Sequence, residues 1–428
     1  MLSLRYRPLD SCPMSTTDSA QTHHEAHEPL DRLIARVGGQ LSDSLAAILA
    51  ELPEGSMGPQ RLAKALGLDK VLLSRLLKAL RSADPIAVAY HAPGPDPLRR
   101  FLRAARKGGA SAACVERGEA AVSAFDDLIR GYAGDRSSLA AMISAWLPEA
   151  RAEFELRRKQ AAHRAMSELK GVAANLNLGV VFLHPSKDGK NLDVVWLVGL
   201  LGITRLRPDA PIKVTTRLST RRFADMPLER RPTTLAGEHV DNLEGLRLDQ
   251  FCLAPPAQLE VSEVGTTVHY LLAGEEFGPR SAVDLLLAEV NLGEMPAAVA
   301  PGSGRLGYVF VEVGSPSRTL VFDVIVHEDV YAGRDPKLLI YDTSLDGVAD
   351  VNDRARDVDR VDMVENIASL GKGAARFRSP DVPRYQDLLT HVFEHMGWDG
   401  AAFRGYRCHI DFPIYGSQVA MAFEPPEG

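Results

Sequence analysis

The sequence has few cysteines, few aromatic residues and no long hydrophobic run. Its four cysteines among 428 residues lie far apart and form no C-x-x-C pair. This argues against a disulfide framework and a structural zinc site, and it fits a reducing cytosol. The most apolar stretch, residues 192–206, is interrupted by Asp193 and is too short to span a bilayer as a helix. The first 30 residues contain no apolar signal region, so we expect a cytoplasmic protein.

An excess of positive charge is also missing from the chain as a whole. The formal net charge is −7, with 45% hydrophobic and 25% charged residues, as in an ordinary soluble protein. The length predicts two or three domains, because one core rarely organises more than about 300 residues. Charge must therefore be examined domain by domain.

Hydrophobic periodicity separates a helical part of the chain from a strand-rich part. Helical spacing runs from Leu30 to about Ala174, and short alternating strands follow from about Leu176. The predicted fold is multidomain: an all-α helix-turn-helix domain and a helical connector, followed by a mostly antiparallel α+β domain. The predicted boundaries are 1–29 for a disordered tail, 30–108 for the first domain, 109–175 for the connector and 176–428 for the last domain.

Helix starts are expected where a capping side chain precedes an apolar helical stripe. Proline after aspartate strengthens the signal, because proline has no N–H to lose in the first turn. Residues 83–95 are therefore predicted to form a helix and a turn. The candidate N-caps are Ser42 or Asp43, Asp84, Asp96, Ser111 and Asp135.

Residues 59–80 have the spacing of two short helices joined by a tight turn. A small residue, Ala63, stands where such helices touch, and Gly67 tolerates the positive φ that the turn needs. Asp69 can cap the second helix. The shared core is predicted to hold Leu62, Leu66, Leu68, Leu73 and Leu76. The segment is predicted to be a helix-turn-helix.

The second of these helices has a polar and basic outward face. Lysine and arginine suit guanine edges and phosphates, and serine suits either a base edge or a phosphate. Residues 56–108 hold eleven Lys/Arg and three Asp, a local charge of +8 that leaves −15 for the rest of the chain. Such a concentration is typical of a DNA-binding module. The candidate DNA-contacting residues are Asp69, Lys70, Val71, Ser74, Arg75 and Lys78.

This segment resembles the DNA-binding domains of bacterial regulators of the MarR and IclR kind. They share the pattern Leu-Ala-x-x-Leu-Gly-Leu followed by Ser-Arg-Leu-Leu-x-x-Leu, found here at residues 62–68 and 74–80. The resemblance covers roughly residues 40–100 and implies a DNA-binding regulator. It departs from those families where they place a β-wing, because residues 83–95 predict a helix and a turn. Residues 110–428 show no family resemblance.

The alternative interpretation is a small helical core that binds another protein or only docks its neighbour. Leucines at helical spacing alone would favour it. The four-residue spacing between Ala63 and Gly67 and the local charge of +8 favour DNA binding.

A second pattern spells the inverted zinc-protease signature H-x-x-E-H at His391, Glu394 and His395. Two histidines at i, i+4 share a helix face and can chelate one metal. No downstream helix offers an obvious third ligand, so no metal, cofactor or catalytic residue is predicted. An amphipathic helix explains the segment equally well, with its inward face formed by Leu388, Leu389, Val392 and Phe393.

Three further patterns favour ordinary structure. The G-x-G-x-x-G at 302–307 precedes a strand and is predicted to be a hairpin turn. The seven aspartates of 342–362 lack the spacing of a calcium loop and are predicted to form a solvated loop. Asp323 lies in a strand that ends in His327, Glu328 and Asp329, which predicts an exposed strand end or, alternatively, a sensor pocket or general base.

The helix over 149–171 is predicted to be a dimer or linker helix, or to pack on its own domain.

The sequence predicts a transcriptional regulator that binds double-stranded DNA as a homodimer. One recognition helix reads too few base pairs for high specificity, which favours the dimer. The C-terminal domain is expected to sense a small-molecule ligand or a protein partner. Two alternatives stay open: a metal-dependent hydrolase-like enzyme that uses the H-x-x-E-H segment, and a non-catalytic protein-interaction scaffold.

Overall fold

The computed structural model describes residues 28–53, 58–144, 146–218, 232–240, 242–264 and 267–428. Two compact units make up the chain, which we call unit 1 (Met1–Ala150) and unit 2 (Arg151–Gly428). The described part of unit 1 is helical, and unit 2 combines sheets with helices. The predicted order of a helical part followed by an α+β part is confirmed. The tail predicted over residues 1–29 lies outside the described residues except for its last two.

Unit 1 is built around one long central helix. Its helices are α1 (Leu30–Glu51), α2 (Pro59–Leu66), α3 (Lys70–Leu80), α4 (Pro85–His91), α5 (Pro95–Lys107), α6 (Ala112–Leu128) and α7 (Arg136–Ser144), with a π-helical turn at Ile129–Ala133. By length and composition α1 would also suit a membrane span, as core helices often do. Its apolar stripe lies in the core of unit 1 and includes Ile34, Val37, Leu41, Leu45 and Ile48.

Three of the five helix caps predicted outside residues 59–80 are confirmed. The Asp84 carboxylate accepts the N–H of Ile86 at 2.9 Å, and the Ser111 hydroxyl accepts the N–H of Cys114 at 3.3 Å. Asp135 accepts two backbone N–H groups at the start of α7. Each side chain satisfies a donor that the first helical turn leaves without a partner.

The other two predicted caps are wrong. Helix α1 runs through Ser42 and Asp43 because its apolar stripe begins a full two turns earlier, at Ile34. Helix α5 begins at Pro95, after Gly94, so Asp96 lies within the first turn. There its carboxylate is 3.4 Å from the Arg99 guanidinium.

The predicted connector over 109–175 divides between the two units. Gly118 of α6 lies against Ile48 and Leu102, and a Cβ there would be 2.8 Å from each side chain. Helix α6 therefore belongs to the core of unit 1. Helix α8 (Pro148–Lys170) lies almost wholly in unit 2, where Lys159 forms a buried ion pair with Glu365. This fits the interpretation that the 149–171 helix packs on its own domain.

The described part of unit 2 contains twelve strands and one further α-helix. The strands are β1 (Val172–Pro185), β2 (Asn191–Arg205), β3 (Lys213–Leu218), β4 (Leu259–Val264), β5 (Thr267–Leu272), β6 (Val283–Pro296), β7 (Gly307–Glu312), β8 (Ser317–His327), β9 (Lys337–Asp342), β10 (Ala368–Lys372), β11 (Phe403–Asp411) and β12 (Ser417–Phe423), and the helix is α9 (Tyr385–Met396). The sequence predicts ten of these strands, and β3 and β10 are additional. The predicted ranges are 178–183, 192–198, 258–264, 266–272, 282–290, 306–313, 319–326, 338–341, 406–412 and 417–423.

The strands form three sheets among the described residues. The largest has the order β10-β11-β8-β1-β2-β6, and the two smaller sheets are β7-β12-β9 and β3-β5-β4. Every pairing is antiparallel except that of β1 with β8, in which Val180 is opposite Asp323. The expectation of a mostly antiparallel domain is therefore confirmed.

The six-stranded sheet is covered on both faces. On β1, Leu178, Val180 and Phe182 face α9, whereas Val181 and Leu183 face the sheet of β7, β12 and β9. This alternation follows from the two-residue period of a strand. Because both faces are covered, the central strands are apolar on both sides.

Candidate nucleic-acid interface

The α2 and α3 helices meet through a tight turn centred on Gly67. Gly67 adopts the left-handed conformation, with φ 63° and ψ 34°, that glycine enters without a Cβ clash. The N–H of Leu68 donates to the carbonyl of Ala63 at 2.9 Å, which closes the end of α2. The turn therefore has the geometry that the sequence predicts for residues 66–70.

The predicted core of these two helices is formed as expected. Leu62, Leu73 and Leu76 are fully buried, and Ala63 is buried beside them. Leu66 and Leu68 are half-buried and pack against the same cluster. The inner face of this pair of helices thus anchors it to unit 1.

All six candidate contact residues lie on the outer face of this helix pair. Asp69, Lys70, Val71, Ser74, Arg75 and Lys78 are all exposed. Val71 is 64% exposed. An exposed aliphatic group there suits contact with a thymine methyl group.

Asp69 has a structural role in addition to its predicted contact. One carboxylate oxygen accepts the N–H of Val71 at 2.6 Å, so Asp69 is the N-cap of α3 as predicted. The second oxygen is left for another donor.

Replacing Asp69 by alanine should lower the free energy of unfolding of unit 1 by about 1 kcal/mol, because the cap is lost. Asp69→Asn keeps a capping oxygen and should be close to wild type. Urea unfolding of both variants, followed by helical circular dichroism, tests this. Equal losses in the two variants would show that the charge, and not the cap, stabilises α3.

Arg136, the first residue of α7, lies near Arg75 of α3, and no sequence pattern indicates this. Its Nη2 donates to the carbonyls of Ala89, Tyr90 and Ala92 at the end of α4. Burial lowers the pKa of Arg136 to about 10, and the positive charge of Arg75 adds to the decrease. The two guanidinium groups are therefore close enough to repel each other. An anion bound at Arg75 would relieve that repulsion.

The described residues of unit 1 contain no β-wing. Residues 83–95 form α4 and the turn that follows it, as predicted, and no strand occurs within 28–53, 58–144 or 146–150. Among these described residues, a contact beside α3 would come from another helix or from a loop.

The H-x-x-E-H segment forms the outer side of α9. Its inward face is apolar as expected, with Leu388, Leu389, Val392 and Phe393 buried. The His391 and His395 rings are 4.0 Å apart, and Nδ1 of His395 lies 2.8 Å from the carbonyl of His391. Within the described residues, no group of three or more His, Cys, Asp or Glu side chains is placed to hold a metal ion.

Asp323 is fully buried on the α9 side of β8. Nε and Nη2 of Arg407 each donate to its carboxylate at 2.7 Å, and the Tyr385 hydroxyl donates to the same group. Burial raises the pKa of Tyr385 well above its usual value, and the Asp323 carboxylate adds to the shift. Asp323 thus accepts three hydrogen bonds from Arg407 on β11 and Tyr385 on α9.

The end of β8 is exposed, as the sequence predicts. Glu328 and Asp329 are exposed, and Glu328 forms an ion pair with Lys372. His327 lies half-buried, 3.6 Å from Asp329.

The glycine-rich and acidic segments are loops. Gly302 and Gly304 have positive φ in a loop that joins β6 to β7. These strands belong to different sheets, so the predicted hairpin turn is wrong. In the acidic segment, Arg356 pairs with Asp359, and its guanidinium also donates to the carbonyls of 346–348.

Unit 2 also has an open cleft of about 500 Å³ beside β4. Its lining residues are Glu244, Arg247, Pro256, Gln258, Leu259 and Ala273.

Comparison of the chain with protein-family models, with curated protein sequences and with solved structures finds no match.

Proposed function

We propose that the protein is a DNA-binding transcriptional regulator in which α2 and α3 form a helix-turn-helix. The observation that carries the proposal is the outer face of α3. Its polar and basic residues are all exposed, while the opposite side of the helix is anchored by Leu73 and Leu76. A rigid helix with a cationic outer face is suited to the major groove, about 12 Å wide.

The partner is double-stranded DNA, bound by a homodimer. A single α3 contacts only a few base pairs, so two copies are needed for a specific site. In this proposal, unit 2 senses a small-molecule ligand or a protein partner. The cleft beside β4 is the candidate binding site for it. Sensing requires that the ligand bind one arrangement of the dimer more tightly than another.

A salt series of duplex DNA binding by the full chain tests the proposal. The dissociation constant should rise steeply with salt, because phosphate contacts release counterions with a slope of roughly 0.9 per contact. The full chain is needed because α6 completes the core of unit 1, so a fragment ending near residue 108 would expose it. Absence of duplex binding at low salt would favour the protein-interaction scaffold.

Metal analysis distinguishes the hydrolase-like alternative from the DNA-binding regulator. It requires stoichiometric zinc that is lost in the His391→Ala/His395→Ala variant. Metal content that is unchanged by this double substitution would exclude the H-x-x-E-H segment as its site.

A further inference from the structure

Helix α5 has three cations on one face, beyond Asp96, which lies on the same face one turn before Arg100. Arg100, Arg103 and Lys107 lie within roughly 60° of arc, since successive helical residues are about 100° apart. Arg106 lies on the flank of this group. We call these four residues the α5 basic face; all are exposed.

The cations of the α5 basic face form no ion pair among the described residues. Arg99, their neighbour, forms ion pairs with Asp126 at 2.8 Å and with Asp96 at 3.4 Å. The four residues of the basic face have no such partner among the described residues. The only carboxylate on α5 is that of Asp96.

An ordinary solvated face explains this arrangement poorly. Like charges at i, i+3 and i, i+4 destabilise a helix by about 0.2–0.5 kcal/mol per pair. The helix dipole offsets this cost only in the last turn, which contains Arg106 and Lys107 but not Arg100 or Arg103. A polyanion would remove the repulsion along the whole helix.

The opposite side of α5 fixes the position of this face. Leu98, Phe101, Leu102 and Ala105 are completely buried in the core of unit 1. The helix therefore cannot rotate without exposing them.

The end of α5 lies beside the α2–α3 turn. A Cβ on Gly108 would be 3.1 Å from the Leu66 side chain and 3.3 Å from that of Leu52. Leu66 is the last residue of α2, directly before Gly67. The C-terminal end of α5, with Lys107, therefore adjoins the turn that leads into α3.

We propose that the α5 basic face is a second DNA-binding element, which holds the phosphates that flank the groove occupied by α3. This rests on the function proposed above. From Arg100 to Lys107 the helix rises about 10 Å, and one DNA strand carries a phosphate every 3.4 Å or so along its axis. The three cations of the face can each contact one phosphate. Because phosphates carry no sequence information, this element sets affinity and orientation and leaves base discrimination to α3.

The test compares the full chain with the variant Arg100→Gln/Arg103→Gln/Lys107→Gln. Glutamine keeps good helix propensity and removes only the charges. Binding to a duplex should weaken about tenfold or more at low salt, equally for preferred and unrelated sequences. The slope of log K against log salt should fall by about 2.7, or 0.9 for each lost phosphate contact.

A matched control removes three exposed charges elsewhere: Arg32→Gln/Lys187→Gln/Arg354→Gln. Arg32 lies about 30 Å along α1 from Leu52, the residue that contacts Gly108. The control should retain the wild-type slope, and both variants should retain the wild-type melting temperature.

The outcomes separate this inference from the proposed function. If Arg75→Ala weakens duplex binding but the α5 variant keeps the wild-type slope, the inference is overturned and the regulator proposal stands. If the wild-type chain binds no duplex, both this inference and the regulator proposal are overturned. An equal decrease of slope in the control would show that only net charge matters, which also overturns the inference.

Discussion

Replacing Arg75 by alanine is expected to weaken binding of the preferred duplex roughly 5- to 150-fold, the effect of losing about 1–3 kcal/mol of base contact. Arg75 is exposed on α3, and its guanidinium can bind a guanine edge through two hydrogen bonds. The loss should be largest on the preferred sequence and small on unrelated DNA. Fluorescence anisotropy with both duplexes at fixed salt measures the difference.

Arg81→Ala is the matched control for this prediction. Arg81 directly follows α3, is exposed, and lies about 120° around the helix from Arg75. Its loss should leave sequence discrimination unchanged. Discrimination that survives in Arg75→Ala as fully as in Arg81→Ala would mean that α3 does not read bases.

Replacing Arg407 by methionine should destabilise unit 2 by about 3–5 kcal/mol. The substitution keeps side-chain length but leaves the buried Asp323 carboxylate without its cation. An unpaired buried charge loses its hydration without recovering an equivalent interaction. The variant is therefore expected to unfold at a much lower urea concentration than the wild type.

Tryptophan fluorescence can isolate unit 2 in this measurement. Of the three tryptophans, Trp196 and Trp398 lie in unit 2, so a Trp146→Phe background removes the signal of unit 1. Tyr385→Phe is the control, because it removes one hydrogen bond and keeps the ion pair; its cost should be about 1 kcal/mol. Adding Asp323→Asn to Arg407→Met should recover part of the loss, since it removes the stranded charge. A double variant no more stable than Arg407→Met would contradict the electrostatic explanation.

Patterns among neighbouring residues predicted the helices, strands, turns and caps that neighbouring residues determine. The apolar runs of β1, β2 and β8 and the helical stripe of α9 indicate buried elements. Gly67 and Asp69 perform the roles that their chemistry predicts. Strand β10 was missed because it is short, at the edge of its sheet and has no buried residue. Its sequence carries no apolar alternation to detect.

Long-range partners could not be predicted in this way. Asp323 and Arg407 are 84 positions apart, and only the pairing of β8 with β11 brings them together. Arg136 reaches the end of α4 in the same manner. The charge excess over 56–108 was visible in the sequence, but the position of α5 beside the turn depends on packing at Gly108.

The parallel pairing of β1 with β8 also affects how the chain folds during synthesis. Residues 186–316 separate the two strands, so the ribosome must release β2 to β7 before β1 acquires its second neighbour. Until then, β1 is an apolar edge strand, the kind of surface that attracts other chains. Helices α1 to α7 precede β1 in the chain, so they leave the ribosome first and can assemble earlier. Unit 2 is therefore the part of the nascent protein that most needs protection by chaperones.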